Sequence, residues 1–172
     1  MTILIIILRI IHILAGALWV GAAFFNILFL QPTIRATGAD GQKVSQYMVR
    51  KTRMTTYVYA VATLNFLAGL ILYIIITGFR PAFLMSGYGL TLTIGALAGI
   101  ISWIMVVFLV RGIFSRMAAI GQMIQSQGGT PTPEQVGEMQ SLAKRLGSLG
   151  NYNLVFMAIA VVGMSTARYI RF

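Results

Sequence analysis

The sequence predicts an all-α, polytopic membrane protein: four transmembrane helices in an antiparallel bundle, with helical extensions on the cytoplasmic side. Three observations carry this. The 172 residues contain four long apolar runs, each of a length that crosses a bilayer. Only 9% of residues are charged and 58% are hydrophobic, whereas a soluble domain carries about 25% charged residues. The net charge of +10 sits mainly on residues that flank the apolar runs, as the positive-inside rule requires.

The first run spans about Ile3–Leu30 and contains Arg9, His12, Trp19 and Asn26 but no acid. It is too long for a signal peptide, no basic cluster precedes it, and Ala15-Gly16-Ala17 falls in mid-helix. It therefore reads as an uncleaved span. Gln31-Pro32 marks its end or a kink. The connection over about 31–55 looks helical, with Gly38, Asp40 and Gly41 at its tip and Val44, Tyr47 and Met48 returning. The second run covers about 56–77. Thr77-Gly78-Phe79-Arg80-Pro81 is a short turn that sets spans two and three side by side.

The third run covers about 88–110, and Ile113, Met117, Ile120 and Ile124 continue it at helical spacing. Gly128-Gly129 closes the second long connection, over about 111–151. Thr132, Pro133 and Gln135 then spell a capped helix start. Val136, Met139, Leu142, Leu146 and Leu149 lead into the fourth run, about 152–170. The whole chain, 1–172, forms one domain. The two long connections hold all 3 acids and most of the 13 lysines and arginines. That places them in the cytoplasm and both termini outside, in a bacterial-type inner membrane.

The two halves echo each other. Leu14-Ala15-Gly16 with Trp19 matches Leu97-Ala98-Gly99 with Trp103, and Lys51 with Tyr59 matches Lys144 with Tyr152. Gly95 and Gly99 form a GxxxG. This either packs helices within one bundle or makes a dimer face.

Candidate chemistry gathers in the first span. His12 is the only histidine. It lies about ten residues below the outer surface, close to the depth of Asn65 on span two, and Arg9 stands one turn above it on the same side. Ser102, Trp103 and Met105 on span three are somewhat deeper, and Met157 and Met164 bracket that depth on span four. A neutral imidazole ligates haem iron or copper, and thioethers suit Cu(I) or an axial haem position. The candidate cofactor-binding residues are thus His12, Arg9, Asn65, Trp19 and Trp103. The candidate metal ligands are His12, Met105, Met157 and Met164, for haem b or copper. The competing reading has His12 bonding a backbone carbonyl or Asn65 and fixing helix packing, with the methionines as core filler.

The absence of cysteine excludes disulfides, thiolate metal sites and CxxCH haem attachment. No span holds an acid, so neither carboxylate proton coupling nor a catalytic His–acid pair has support, and no catalytic residue is assigned. Aromatic residues lie in or beside the spans, which argues against nucleic acid. The basic connections suit anionic lipid head groups.

The Ile11–Phe25 stretch, IHILAGALWVGAAFF, resembles the first helix of the CopD-like superfamily, which includes the copper-resistance D and HemJ-like proteins. The matching residues are His12, Trp19, Gly21, Phe24 and Phe25. Arg50–Met54 leading to Leu67–Tyr73 resembles that group's second helix, and Leu146–Tyr169 its last. The resemblance implies a four-helix membrane bundle with haem or copper at His12. Three functions follow as expectations: redox or metal handling at His12; a non-catalytic accessory subunit, as a homo-oligomer or within a larger membrane complex; and a small-molecule or ion permease.

Overall fold

The computed structural model describes residues 2–171, without the side chains of Ala39, Gln46, Val49 and Arg50. The described residues are helical nearly throughout, with no strand among them. We number six helices: α1 Thr2–Ala36, α2 Gly38–Lys51, α3 Met54–Thr77, α4 Pro81–Leu84, α5 Gly87–Ser126 and α6 Pro133–Tyr169. α1, α3, α5 and α6 are each long and apolar enough to cross a membrane.

Gln31-Pro32 does not end α1. Residues Asn26–Leu30 widen into a π-turn, and the Gln31 N–H donates to the Asn26 carbonyl five residues back. In an unbroken α-helix the proline ring would collide with the carbonyl of Leu28. The wider turn absorbs it, and the helix continues to Ala36. α5 carries a second π-turn at Met105–Val110, with no proline near it and no local sequence feature that accounts for it. Both connections are helical hairpins, as expected. The first turns at Thr37-Gly38, with φ +56° at Gly38. Asp40 and Gly41 already belong to the first turn of α2. The second closes at Gly128 (φ +95°) and Gly129 (φ +87°), conformations that glycine adopts without a Cβ clash. The Thr132 hydroxyl then accepts from Gln135 N–H at 3.3 Å, and the Gln135 side chain accepts from Thr132 N–H at 2.9 Å. Arg116 clamps the hairpin to Glu138 with hydrogen bonds of 2.6 and 3.1 Å. That paired carboxylate holds the guanidinium pKa above its ordinary value.

The helices pack as two close pairs. Along α1 and α3 the contacts run in opposite order: Leu8 clusters with Leu72, His12 lies on Gly69 and Gly16 on Asn65, and Trp19 packs with Ala62. α5 and α6 meet backbone to backbone. A Cβ on Gly95 would stand 2.9 Å from Met164 N, and one on Gly163 would stand 3.0 Å from Gly95 Cα. The GxxxG of α5 is thus used inside the chain. Two tryptophans join the pairs. Trp19 is buried against Val106 and Met157. Trp103 stacks on Phe66 at 4.1 Å with ring planes 8° apart. At the end where the short turn lies, Tyr73 bonds Thr93 at 2.8 Å. Apolar side chains also cover the outside: Ile3, Ile13, Leu14, Phe25, Leu97, Val155 and Val162 are all more than half exposed.

Gly95→Leu is expected to lower the unfolding free energy in detergent by about 1–3 kcal/mol, the usual cost of overpacking. Gly21→Leu, where nothing lies within 4 Å, should hold or raise it. A denaturation series on both variants checks this.

Candidate functional site

His12 lies at the α1–α3 contact, partly buried. Its Nδ1 is 2.9 Å from the backbone carbonyl oxygen of Asn65. A carbonyl can only accept, so Nδ1 carries the proton and, in the neutral ring, Nε2 keeps its lone pair. A carbonyl inside a helix is normally screened by side chains one turn on. Here the residue four positions along is Gly69. A Cβ there would stand 2.6 Å from His12 Cε1 and 2.9 Å from Nδ1, so the imidazole occupies the room that glycine leaves. Gly16 does the same for the side chain of Asn65. Its missing Cβ would come within 2.9 Å of Asn65 Oδ1. That oxygen is buried and has no hydrogen-bond partner, a cost of about 1–3 kcal/mol. The bond therefore runs to the main chain of Asn65, and the amide beside it stays unpaired.

The other sequence candidates lie apart. Arg9 is exposed and forms no ion pair or hydrogen bond among the described residues. Trp19 is buried two turns further along α1, about 10 Å from His12 at 1.5 Å per residue. Met157 packs at the level of Trp19, and its sulfur accepts from Asn153 Nδ2 at 3.7 Å. Met164 lies against Gly95 and Gly99 in the α5–α6 seam. Met105 is buried beside Val106 on the π-turn of α5. Trp103 faces α3, with its indole N–H 3.4 Å from Thr63 Oγ1. Among the described residues, no three His, Asp or Glu side chains gather to hold a metal ion.

Sequence reasoning missed a second polar centre. Ser102 donates to Asn153 Oδ1 at 2.7 Å, and Asn153 passes its own N–H to Met157. Ser102 is 0% and Asn153 4% exposed, so the chain is satisfied and dry. The available signal was an asparagine near the start of the fourth apolar run, one turn before a methionine. An apolar groove of about 380 Å³ lies elsewhere, on the α5–α6 surface by Thr91, Ile94, Ile159 and Val162.

Chemically, His12 offers one nitrogen of fixed tautomer. No acid on any of the four long apolar runs can pair with it for proton transfer. No family model, curated protein or solved structure matches the chain.

Nitrogen-15 NMR of the His12 ring at neutral pH should show a one-bond proton coupling at Nδ1 and none at Nε2. Gly69→Ala, whose methyl takes the ring's place, should abolish that pattern. Protonated Nε2 in the wild-type protein would contradict the carbonyl bond.

Proposed function

We propose that this chain is an integral membrane protein whose four long helices form an antiparallel bundle across a bacterial-type inner membrane. The hairpins lie in the cytoplasm and both termini outside. Support comes from the apolar residues exposed around the bundle and from the charge on the hairpins. In water that exposed surface would cost roughly 25 cal/mol per Å²; in lipid it costs little.

We further propose that His12 serves as this chain's one ligand for a metal group, b-type haem or copper, at the outer half of the bundle. The observation that carries this is the Nδ1 hydrogen bond to the Asn65 carbonyl. Metal-ligating histidines commonly donate their other ring N–H to such a carbonyl, which orients the ring and raises its basicity. The fit is partial. His12 would hold the group through Nε2, but Met105, Met157 and Met164 are held in other contacts, so copper on a His12–methionine set does not fit. Any further ligand comes from outside the chain, from a second copy or a partner. When bound, haem or copper would supply one-electron chemistry. The chain's own part is to hold the imidazole in one tautomer at a partly buried helix contact. The resemblance of the Ile11–Phe25 stretch to the CopD-like group would imply the same ligand class.

Arg9 favours a second reading, that of an accessory subunit. An exposed cation about 10 Å inside an apolar helix, with no acid beside it among the described residues, suits a carboxylate on a partner helix.

Purified in mild detergent, the protein is expected to show a Soret band or copper near one per chain or per pair of chains. His12→Ala should lose it, whereas Asn65→Ala, which keeps the backbone carbonyl, should retain it. Colourless, metal-free protein that also fails to take up added haem or copper would refute the ligand role and leave the accessory-subunit reading.

A further inference from the structure

Arg35 and Lys144 lie on the same face of α6 at the hairpin end. Arg35, near the end of α1, reaches across to α6: its Nη2 lies 3.3 Å from the place a Cβ on Gly147 would occupy. The guanidinium thus rests close on that helix, where Gly147 carries no side chain. Lys144 is one turn before Gly147 and Asn151 one turn after, so both share its face. All three side chains are exposed. The hairpin carboxylates are engaged or distant. Glu138 is held by Arg116 at 2.6 Å and Asp40 by Lys43 at 2.8 Å. Glu134 is ten residues from Lys144, about 15 Å along the helix. Two cations thus share one helix face with an amide donor, and no carboxylate among the described residues neutralises them.

Depth identifies the anion. Arg35 is five residues beyond Leu30, where the first apolar run ends, and Gly147 is five residues before Tyr152, where the last begins. Both lie about 7.5 Å past the apolar zone. That is where phosphate head groups sit, since the polar layers add roughly 5–8 Å to each side of a ~30 Å hydrocarbon core. We propose that Arg35 and Lys144, with the Asn151 amide, bind the phosphate of an anionic phospholipid head group on the cytoplasmic leaflet. The site rests on the membrane reading above and is independent of any ligand at His12. Arg35 supplies the fork that matches two phosphate oxygens, and Lys144 a point charge.

The test is native mass spectrometry of the full chain released from nanodiscs of equal phosphatidylglycerol and phosphatidylcholine. Wild-type protein should retain phosphatidylglycerol over phosphatidylcholine at least about fivefold. The Arg35→Gln, Lys144→Gln double variant should fall to near equal retention, and Arg171→Gln, at the opposite end, should leave the preference intact. A Lys144→Arg variant, which keeps the charge, should also keep it, and so separates lost binding from lost folding. Equal retention by the wild type, or an undiminished preference in the double variant, would overturn the site. Displacement of the lipid by millimolar inorganic phosphate would overturn the head-group source. If the chain partitions into water without detergent, the membrane reading itself fails, an outcome visible before any lipid is counted.

Discussion

Close helix approach through missing side chains underlies the rest of this structure. Between α1 and α3, Gly69 admits the His12 ring and Gly16 admits the Asn65 amide. Between α5 and α6, Gly95 and Gly163 bring two backbones into direct contact. At the hairpin end Gly150 receives Ile27, and Gly147 receives Arg35. In the lipid setting proposed above, burying another apolar group gains little, so helices associate by fit and by whatever polar bonds the fit allows. Each glycine removes the volume that would hold the axes apart, and dispersion contacts then accumulate along the seam.

Polar groups in the bundle follow from that geometry. The Asn65 carbonyl can accept the His12 ring because Gly69, one turn on, has no Cβ to occupy that space. Ser102 and Asn153 face each other across the α5–α6 seam and satisfy one another. Asn65 Oδ1, beside Gly16, has no such partner. The same seam that orients His12 thus leaves one acceptor unpaired.

The π-turns adjust the relation between the apolar helices and their polar extensions. One follows from Pro32, whose ring needs space in the turn before it. The other, at Met105–Val110, places Met105 and Val106 in the core before α5 leaves toward the Arg116–Glu138 clamp. A π-turn rotates everything beyond it relative to the helix before it. Residues on the hairpins therefore share faces that a uniform helical count along the whole run would not assign.

Much of the architecture was legible in the residues. Four long apolar runs, the short turn at Thr77–Pro81, the Gly128-Gly129 closure and the Thr132 cap are local matters of hydropathy, backbone freedom and hydrogen bonding, and local chemistry decides them. The equal depth of His12 and Asn65 could also be counted from the helix ends. Rotation and register were not legible. Helices apolar on every side carry no face signal, so nothing in the sequence separated a carbonyl partner for His12 from an amide one. Nor did anything show that Met157 packs at the level of Trp19 while Met164 enters the α5–α6 seam, or that Asn153 pairs with Ser102. Those choices depend on which glycine notch meets which side chain across a seam, a relation between residues some fifty positions apart that exists only once the helices have packed.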